Sequence, residues 1–349
     1  MLLERAADQA TGIDEGTAVE LARHIALEDP SQLASAALRV GAEIERAGAL
    51  NLAASWLGLV ERAFPNRSPL DIGRTKAQRA SVARKLGALE AARELYMAVD
   101  QLGKTTGEPE LTARAWIGYA ILAHMRGNYP DARQWYNAAA MIAEDNRFSE
   151  QLFAARQGLM IAAAVARDFD EAMREGWKAF LASENDHDRE AEVLTNMAQA
   201  LHESGWHDAA LRGFAAAVAR TNLTTVLLPA LGGAAAAAAA SRRREVVEAA
   251  ADRIALLAGS AWDYPIASAL LDLADAYDVL GNARMAADYR TRGLSIARAG
   301  GFHELAQRTE KPGTRDARTS SPLPFSSAAT RVVNDIESLN AAADLIGVA

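Results

Sequence analysis

A few short stretches carry residue types whose spacing could support chemistry. Ala98-Val99-Asp100-Gln101-Leu102-Gly103-Lys104-Thr105 fits a loose phosphate-binding pattern. That chemistry needs a glycine-rich loop between a strand and a helix, so that backbone N–H groups cradle phosphates. Here alanine stands where the first glycine belongs and Gly107-Glu108-Pro109 follows, so Gly103 is expected to end a helix. His202 and His207 flank Gly205 and could approach each other, but spacing places no third metal ligand beside them. The remaining histidines, His24, His124, His187 and His303, are scattered. Asn185-Asp186-His187-Asp188 lacks the glycine and terminal glutamate of a calcium loop. Arg242-Arg243-Arg244 reads as a solvated corner at a turn, with a phosphate-contacting patch as the alternative. No serine, histidine and acid set has recognisable spacing, and G-x-S-x-G does not occur. The residues imply no catalytic group, no metal and no cofactor, and leave an enzyme unsupported.

The elements that would position such residues are helical. Half of the 349 residues are hydrophobic, much of that fraction is alanine, and aromatics are only 6%. Alanine is the best helix former and a small knob, suited to closely packed helices. A net charge of −8 gives no reason to expect direct contact with nucleic acid. Without cysteine, disulfides and thiolate metal sites are excluded. Met1-Leu2-Leu3-Glu4-Arg5 lacks a signal-peptide start, and no stretch approaches the ~20 apolar residues that span a bilayer. A cytoplasmic location without membrane contact is expected.

A phrase recurs along the chain: a turn residue, two residues, then an alanine in an amphipathic run. It reads Gly48 to Ala53, Gly87 to Ala92, Gly127 to Ala132, Arg167 to Ala172, Gly205 to Ala210 and Gly281 to Ala286. A degenerate copy near Arg243 and Arg244, leading to Ala249, fills the gap. The anchors are then 37 to 40 residues apart. Offsets of four and seven after each anchor share one helix face, giving Leu57, Tyr96, Tyr136, Gly176, Phe214, Arg253 and Arg290, and Val60, Val99, Ala139, Ala179, Ala217, Leu256 and Gly293. Twelve residues before the anchor sit Gly41, Ala80, Ala120, Ala198, Ala237 and Ala274, with Met160 the exception. Small residues there let two antiparallel helices approach closely.

The third copy, with Trp116, Tyr119, Ala120, Gly127, Tyr129, Ala132, Tyr136 and Ala139, resembles the tetratricopeptide repeat (TPR) pattern most fully. The common repeat is about 34 residues, and the longer spacing is similar to the TPR-like sensor regions of bacterial transcription activators. Residues 15 to 300 carry the resemblance. It implies an all-α, right-handed α-solenoid of about seven to eight antiparallel helix pairs, whose first helices line a concave groove. Carried over by register, the groove holds Arg39, Arg74, Gln78, Ser81 and Arg84, then Arg114, Ile117, Ile121 and His124, then Ile161. Thr195, Asn196, Gln199 and His202 follow, and Asp272, Asp275 and Asp278 come last. This basic-to-acidic order could orient a bound segment; the alternative is a set of solvated helix faces. A carboxylate clamp for chaperone tails needs Lys and Asn at positions held here by Ala77, Ser81 and Ile117.

Residues 1–308 are read as the array, with Ala18 as an incomplete first anchor, its partner helix at Leu2 to Gln9 and Pro30 closing it. A short helix at His303 to Arg308 would end it. Residues 309–327, rich in Pro, Ser, Thr and Arg, read as a flexible linker. Residues 328–349 read as an amphipathic helix with Val332, Ile336, Leu339, Ala343 and Ile346 on one stripe, which either caps the solenoid or occupies the groove. The alanine-rich sixth copy reads as either a rigid packing unit or a hinge. The function expected is binding of a protein or peptide, with no oligomeric state assigned. The alternative is the ligand-sensing region of a bacterial transcription regulator or signalling protein whose effector domain is absent or separate.

Overall fold

The computed structural model describes residues 33–46, 50–63, 67–258, 263–300, 302, 305 and 322–339. The expectations for Ala18, its partner helix and Pro30, and for Gly48, lie outside these residues, as do His24, His303, Ala343 and Ile346; of the short helix expected at 303–308 only Leu305 is described, helical and buried. Fifteen helices and no strand occur among the described residues.

Fourteen helices form seven consecutive pairs, each with a first helix (A) and a second (B). They are α1 Leu33–Arg46 with α2 Leu50–Ala63, α3 Pro69–Lys85 with α4 Leu89–Thr106, and α5 Pro109–Met125 with α6 Tyr129–Asn146. Then come α7 Ser149–Val165 with α8 Phe169–Ala182, α9 His187–Glu203 with α10 His207–Val218, α11 Thr224–Ala240 with α12 Arg244–Leu257, and α13 Asp263–Val279 with α14 Ala283–Ala299. A last helix, α15, spans Ser327–Ser338. The chain divides into two compact units, Met1–Gly158 and Leu159–Ala349.

The turns inside the second to seventh pairs are the same hydrogen-bonded device. At Gly87, the Gly87 N–H donates to Arg84 O at 3.0 Å and the Ala88 N–H to Ala83 O at 2.9 Å. This is the Schellman closure, which needs a left-handed residue and satisfies two carbonyls that the helix end leaves free. Gly127, Arg167, Gly205, Arg242 and Gly281 repeat it, with φ of 75°, 60°, 91°, 59° and 76°. Glycine adopts that conformation without cost, whereas the two arginines carry the strain of a Cβ.

Five residues after each such turn lies a fully buried anchor: Ala92, Ala132, Ala172, Ala210, Val247 and Ala286. The sixth copy is therefore set two residues earlier than the sequence suggests. Its turn is Arg242 rather than Arg243 or Arg244, and its anchor is Val247 rather than Ala249. Leu256, expected on the core stripe, is 84% exposed, while Ile254 is 1% exposed. Ala251 is buried in place of Arg253. The shift was hidden because alanines surround every register of this copy and no glycine marks its turn.

Gly103 lies within α4 and is buried against Leu111 and Thr112, so it does not end the helix. Gly107, at φ 72°, makes the cap. The phosphate-binding pattern thus lies along a continuous helix, where the backbone N–H groups are spent on the helix itself.

The anchor-plus-four side chain decides how one pair meets the next. Tyr96 lies on Gly118, Tyr136 on Gly158 and Phe214 on Gly233, each ring pressed so closely that a Cβ would overlap it. In the fourth pair the roles exchange: Gly176 takes the B-helix position and Met197 and Met160 fill the space. The set expected twelve residues before the anchors, Gly41, Ala80, Ala120, Met160, Ala198, Ala237 and Ala274, is buried throughout, and so is Ala235, which holds that place once Val247 is the sixth anchor. In the alanine-rich α11, Leu227, Leu228 and Leu231 are buried and Gly233 receives Phe214, so this copy is a packed element.

Candidate functional site

In the first unit the expected groove residues lie on α1, α3 and α5. Arg39 is exposed on α1. Arg74 and Arg114 are not free cations: they share Glu110, with Arg74 Nε to Oε1 at 2.8 Å and Arg114 Nε to the same oxygen at 2.8 Å. Arg114 also donates to Glu150, Nη2 to Oε2 at 2.7 Å. Arg74, Glu110, Arg114 and Glu150 thus form an alternating ladder that ties α3, α5 and α7 together. Burial pushes the Glu110 carboxyl up, but hydrogen bonds and charge from Arg74 and Arg114 outweigh it and hold it below the ordinary value. Ser81 Oγ donates to Glu45 Oε1 at 2.6 Å, and Lys85 pairs with the same carboxylate at 3.0 Å.

Other donors in this unit have no acceptor. Gln78 Nε2, Arg84 Nε and Gln157 Nε2 are buried atoms without a hydrogen-bond partner. Buried donors are almost always satisfied, so three such atoms on A helices call for an explanation. Beside Arg84 stands the Tyr96 hydroxyl, pushed up by burial and partly held down by the guanidinium. Burial also raises the Tyr136 hydroxyl. Both phenols therefore stay protonated and able to donate.

Ile117 is half-buried against the small-residue contact of Ala139, Ala140 and Ala155, and Ile121 is half-buried. His124 packs edge-on to Tyr129 with ring centroids 5.2 Å apart, and burial lowers its pKa.

In the second unit, Asn196 and Gln199 are half-buried on α9, and Gln199 Nε2 donates to Glu203 at 2.8 Å. The Thr195 hydroxyl is spent on Ala191 O at 2.7 Å. His202 and His207 meet as their spacing allows, Nδ1 to Nδ1 at 3.1 Å. Among the described residues no group of three or more His, Cys, Asp or Glu side chains could hold a metal ion. Asp272 packs on Gly232. Asp275 and Asp278 both pair with the single guanidinium of Arg290 of α14, Asp275 at 3.6 Å, so the acidic end is offset in part within its own pair. The expected charge order is thus reduced inside each unit, by Glu110 and Glu150 at the basic end and by Arg290 at the acidic end.

The tail lies elsewhere. Helix α15 packs on the B helices α8 and α10 and buries Ala329, Val332, Val333 and Ile336. Among the described residues its main packing is thus on B helices, not at the end of the array or on the A helices. Its stripe is as expected through Ile336, and Leu339 is half-buried.

Among the described residues no helix is long and apolar enough to cross a membrane. No family model matches the chain, and no curated protein matches it. Among solved structures, it is similar to a signal transduction ATPase with numerous domains (STAND) from Pyrococcus horikoshii that carries a tetratricopeptide repeat sensor. The TM-score is 0.55 at 11% identity over 80% of this chain, which spans 45% of that protein. It is also similar to BtubC (BKLC) from P. vanneervenii, with a TM-score of 0.42 and 17% identity over 81% of this chain and 98% of that one. Aspartyl phosphate phosphatase F from Bacillus subtilis follows, with a TM-score of 0.46 and 12% identity over 77% of this chain and 61% of that one. The repeated Schellman turns, the buried anchors and the likeness to the Pyrococcus sensor protein together define an all-α fold of tetratricopeptide-like helix pairs.

Proposed function

We propose that the chain is a non-catalytic scaffold whose A helices hold an extended segment of a partner protein. The observation that carries this reading is the set of buried donors without acceptors on α3 and α7: Gln78 Nε2, Arg84 Nε and Gln157 Nε2. Gln78, Arg84 and Gln157 are half-buried side chains, and turned outward they meet the carbonyl and carboxylate oxygens of a bound peptide, the acceptors their buried nitrogens lack. Supporting it are the protonated Tyr96 and Tyr136 hydroxyls of the same unit. Sequence spacing offers no serine, histidine and acid set, and the reading needs no cofactor.

The test is affinity capture from native extract with the full chain and with a variant carrying Gln78→Ala, Arg84→Ala and Gln157→Ala. A protein bound by the wild type and lost by a variant of unchanged melting temperature supports the scaffold. Equal capture by both removes the A helices as the binding face.

A second reading, the ligand-sensing part of a regulator, is favoured by the likeness to the Pyrococcus protein, whose repeat sensor belongs to a longer signalling ATPase. It predicts that the captured protein is a nucleotide-binding or DNA-binding effector whose activity changes when the chain is present. An unchanged effector would count against it.

A further inference from the structure

The tail of the second unit is read residue by residue where it crosses the turn between α9 and α10. The Leu323 N–H donates to Ser204 O at 3.0 Å, and Trp206 Nε1 donates to Leu323 O at 2.8 Å. One residue is thereby held through both of its backbone polar groups, as a strand edge would hold it. Two residues on, Phe325 stacks on Trp206 with centroids 5.3 Å apart and planes 29° apart. The Ser326 N–H then donates to Asp170 Oδ1 at 2.9 Å, while its hydroxyl caps α15 by accepting the Ala329 N–H at 3.3 Å. Ile336 reaches Gly213, and Arg212 pairs with Glu337.

These contacts fall outside the repeat's own packing. Asp170, Ser204 and Trp206 belong to turns and first helical turns, and α15 belongs to no pair. The recess they form is nonetheless a feature of the repeat. Two copies earlier, the same register holds Glu90, Arg126 and Asn128, and there the space between α4 and α6 is a cleft of about 360 Å³ floored by Tyr119 and Trp135. Gly213 stands where Trp135 stands, so in the second unit no bulky side chain fills the seat that Ile336 takes.

We propose that the recess between α8 and α10 is a peptide-docking site held by the chain's own residues 322–338, and that its external ligand is a partner segment of the same chemistry. That segment carries an apolar residue, proline and an aromatic residue, then a serine that caps an amphipathic helix. The ligand is defined by the observed seat: apolar–Pro–aromatic spacing from Leu323 to Phe325, an N–H toward Asp170, and an apolar stripe over Gly213. The site is separate from the A-helix face, so each can fail without the other.

The probe is a fluorescently labelled synthetic peptide of residues 320–340, titrated into full-length chains. Leu323→Pro removes the N–H donated to Ser204 and lies outside every helix, so it loosens the tail without disturbing any pair. Phe325→Ala with Ile336→Asp loosens it at two other points. The peptide should bind either loosened chain at least about tenfold tighter than wild type, because the resident tail lowers the fraction of open recess. Adding Trp206→Ala to a loosened chain should abolish that gain. No binding to loosened chains whose Trp206 fluorescence has shifted would overturn the site. Equal binding to wild type and loosened chains would overturn occupancy by the tail. A wild-type dimer that Leu323→Pro converts to monomer would overturn the assignment of the resident segment to the same chain.

Discussion

The ring of Tyr136 lies against Gly158, the B helix of the third pair meeting the A helix of the fourth where no side chain stands between them. Gly158→Ala should therefore destabilise the fold by about 1–3 kcal/mol, overpacking outweighing the better helix propensity of alanine. Combining it with Tyr136→Ala should give less loss than the two single effects added, because the deleted ring leaves room for the new methyl. Urea unfolding of the three variants measures this, and simple additivity would show that the two residues do not share the space.

The sixth pair offers a sharper contrast between two neighbours. Ile254→Ala should cost about 2–4 kcal/mol, since it empties a sealed position. Leu256→Ala should stay within about 0.5 kcal/mol, as an exposed side chain has little to lose. A reversed order in denaturant melts would restore Ala249 as the anchor.

Glu110 is the shared acceptor of Arg74 and Arg114, so Glu110→Gln should lower stability by about 1–3 kcal/mol at neutral pH. Its carboxyl titrates below the ordinary value of 4.5. The unfolded chain therefore takes up the proton first, and this stability is present above that pH and lost as pH falls through the folded value. Glu110→Gln should lose less stability on acidification than wild type. Parallel acid-unfolding curves would mean that the ladder contributes nothing.

The partly buried His207 and His124 predict a second pH dependence. Burial lowers the His207 pKa below its ordinary 6.5, with Asp208 opposing, and burial lowers His124 as well. Both are held neutral in the fold, so stability is complete above about 6.5 and declines as pH falls through the folded values. The melting temperature should drop between about pH 7 and about pH 5, and His207→Gln should flatten part of that drop. Identical slopes for wild type and variant would refute the assignment.

The sequence by itself determined the helix pairs and the register of most of them. A left-handed turn demands glycine or a strained substitute, and a close helix crossing demands a small residue. Gly87, Gly127, Gly205 and Gly281, with the alanines five residues on, write both demands plainly. Where alanine fills every position and Arg242 replaces the glycine, the pattern loses its contrast, and only packing distinguishes Val247 from Ala249. Tertiary structure alone decided the candidate sites. The Arg114–Glu110 contact is an i,i+4 pair that helix periodicity can show, but Arg74 with Glu110 and Arg114 with Glu150 join A helices about one repeat apart, and helix periodicity says nothing of neighbours at that distance. The tail's stripe was legible through Ile336, but its seat was not. An amphipathic helix records that it has one apolar face to bury; which surface accepts it depends on Trp206 and Gly213, more than a hundred residues earlier in the chain.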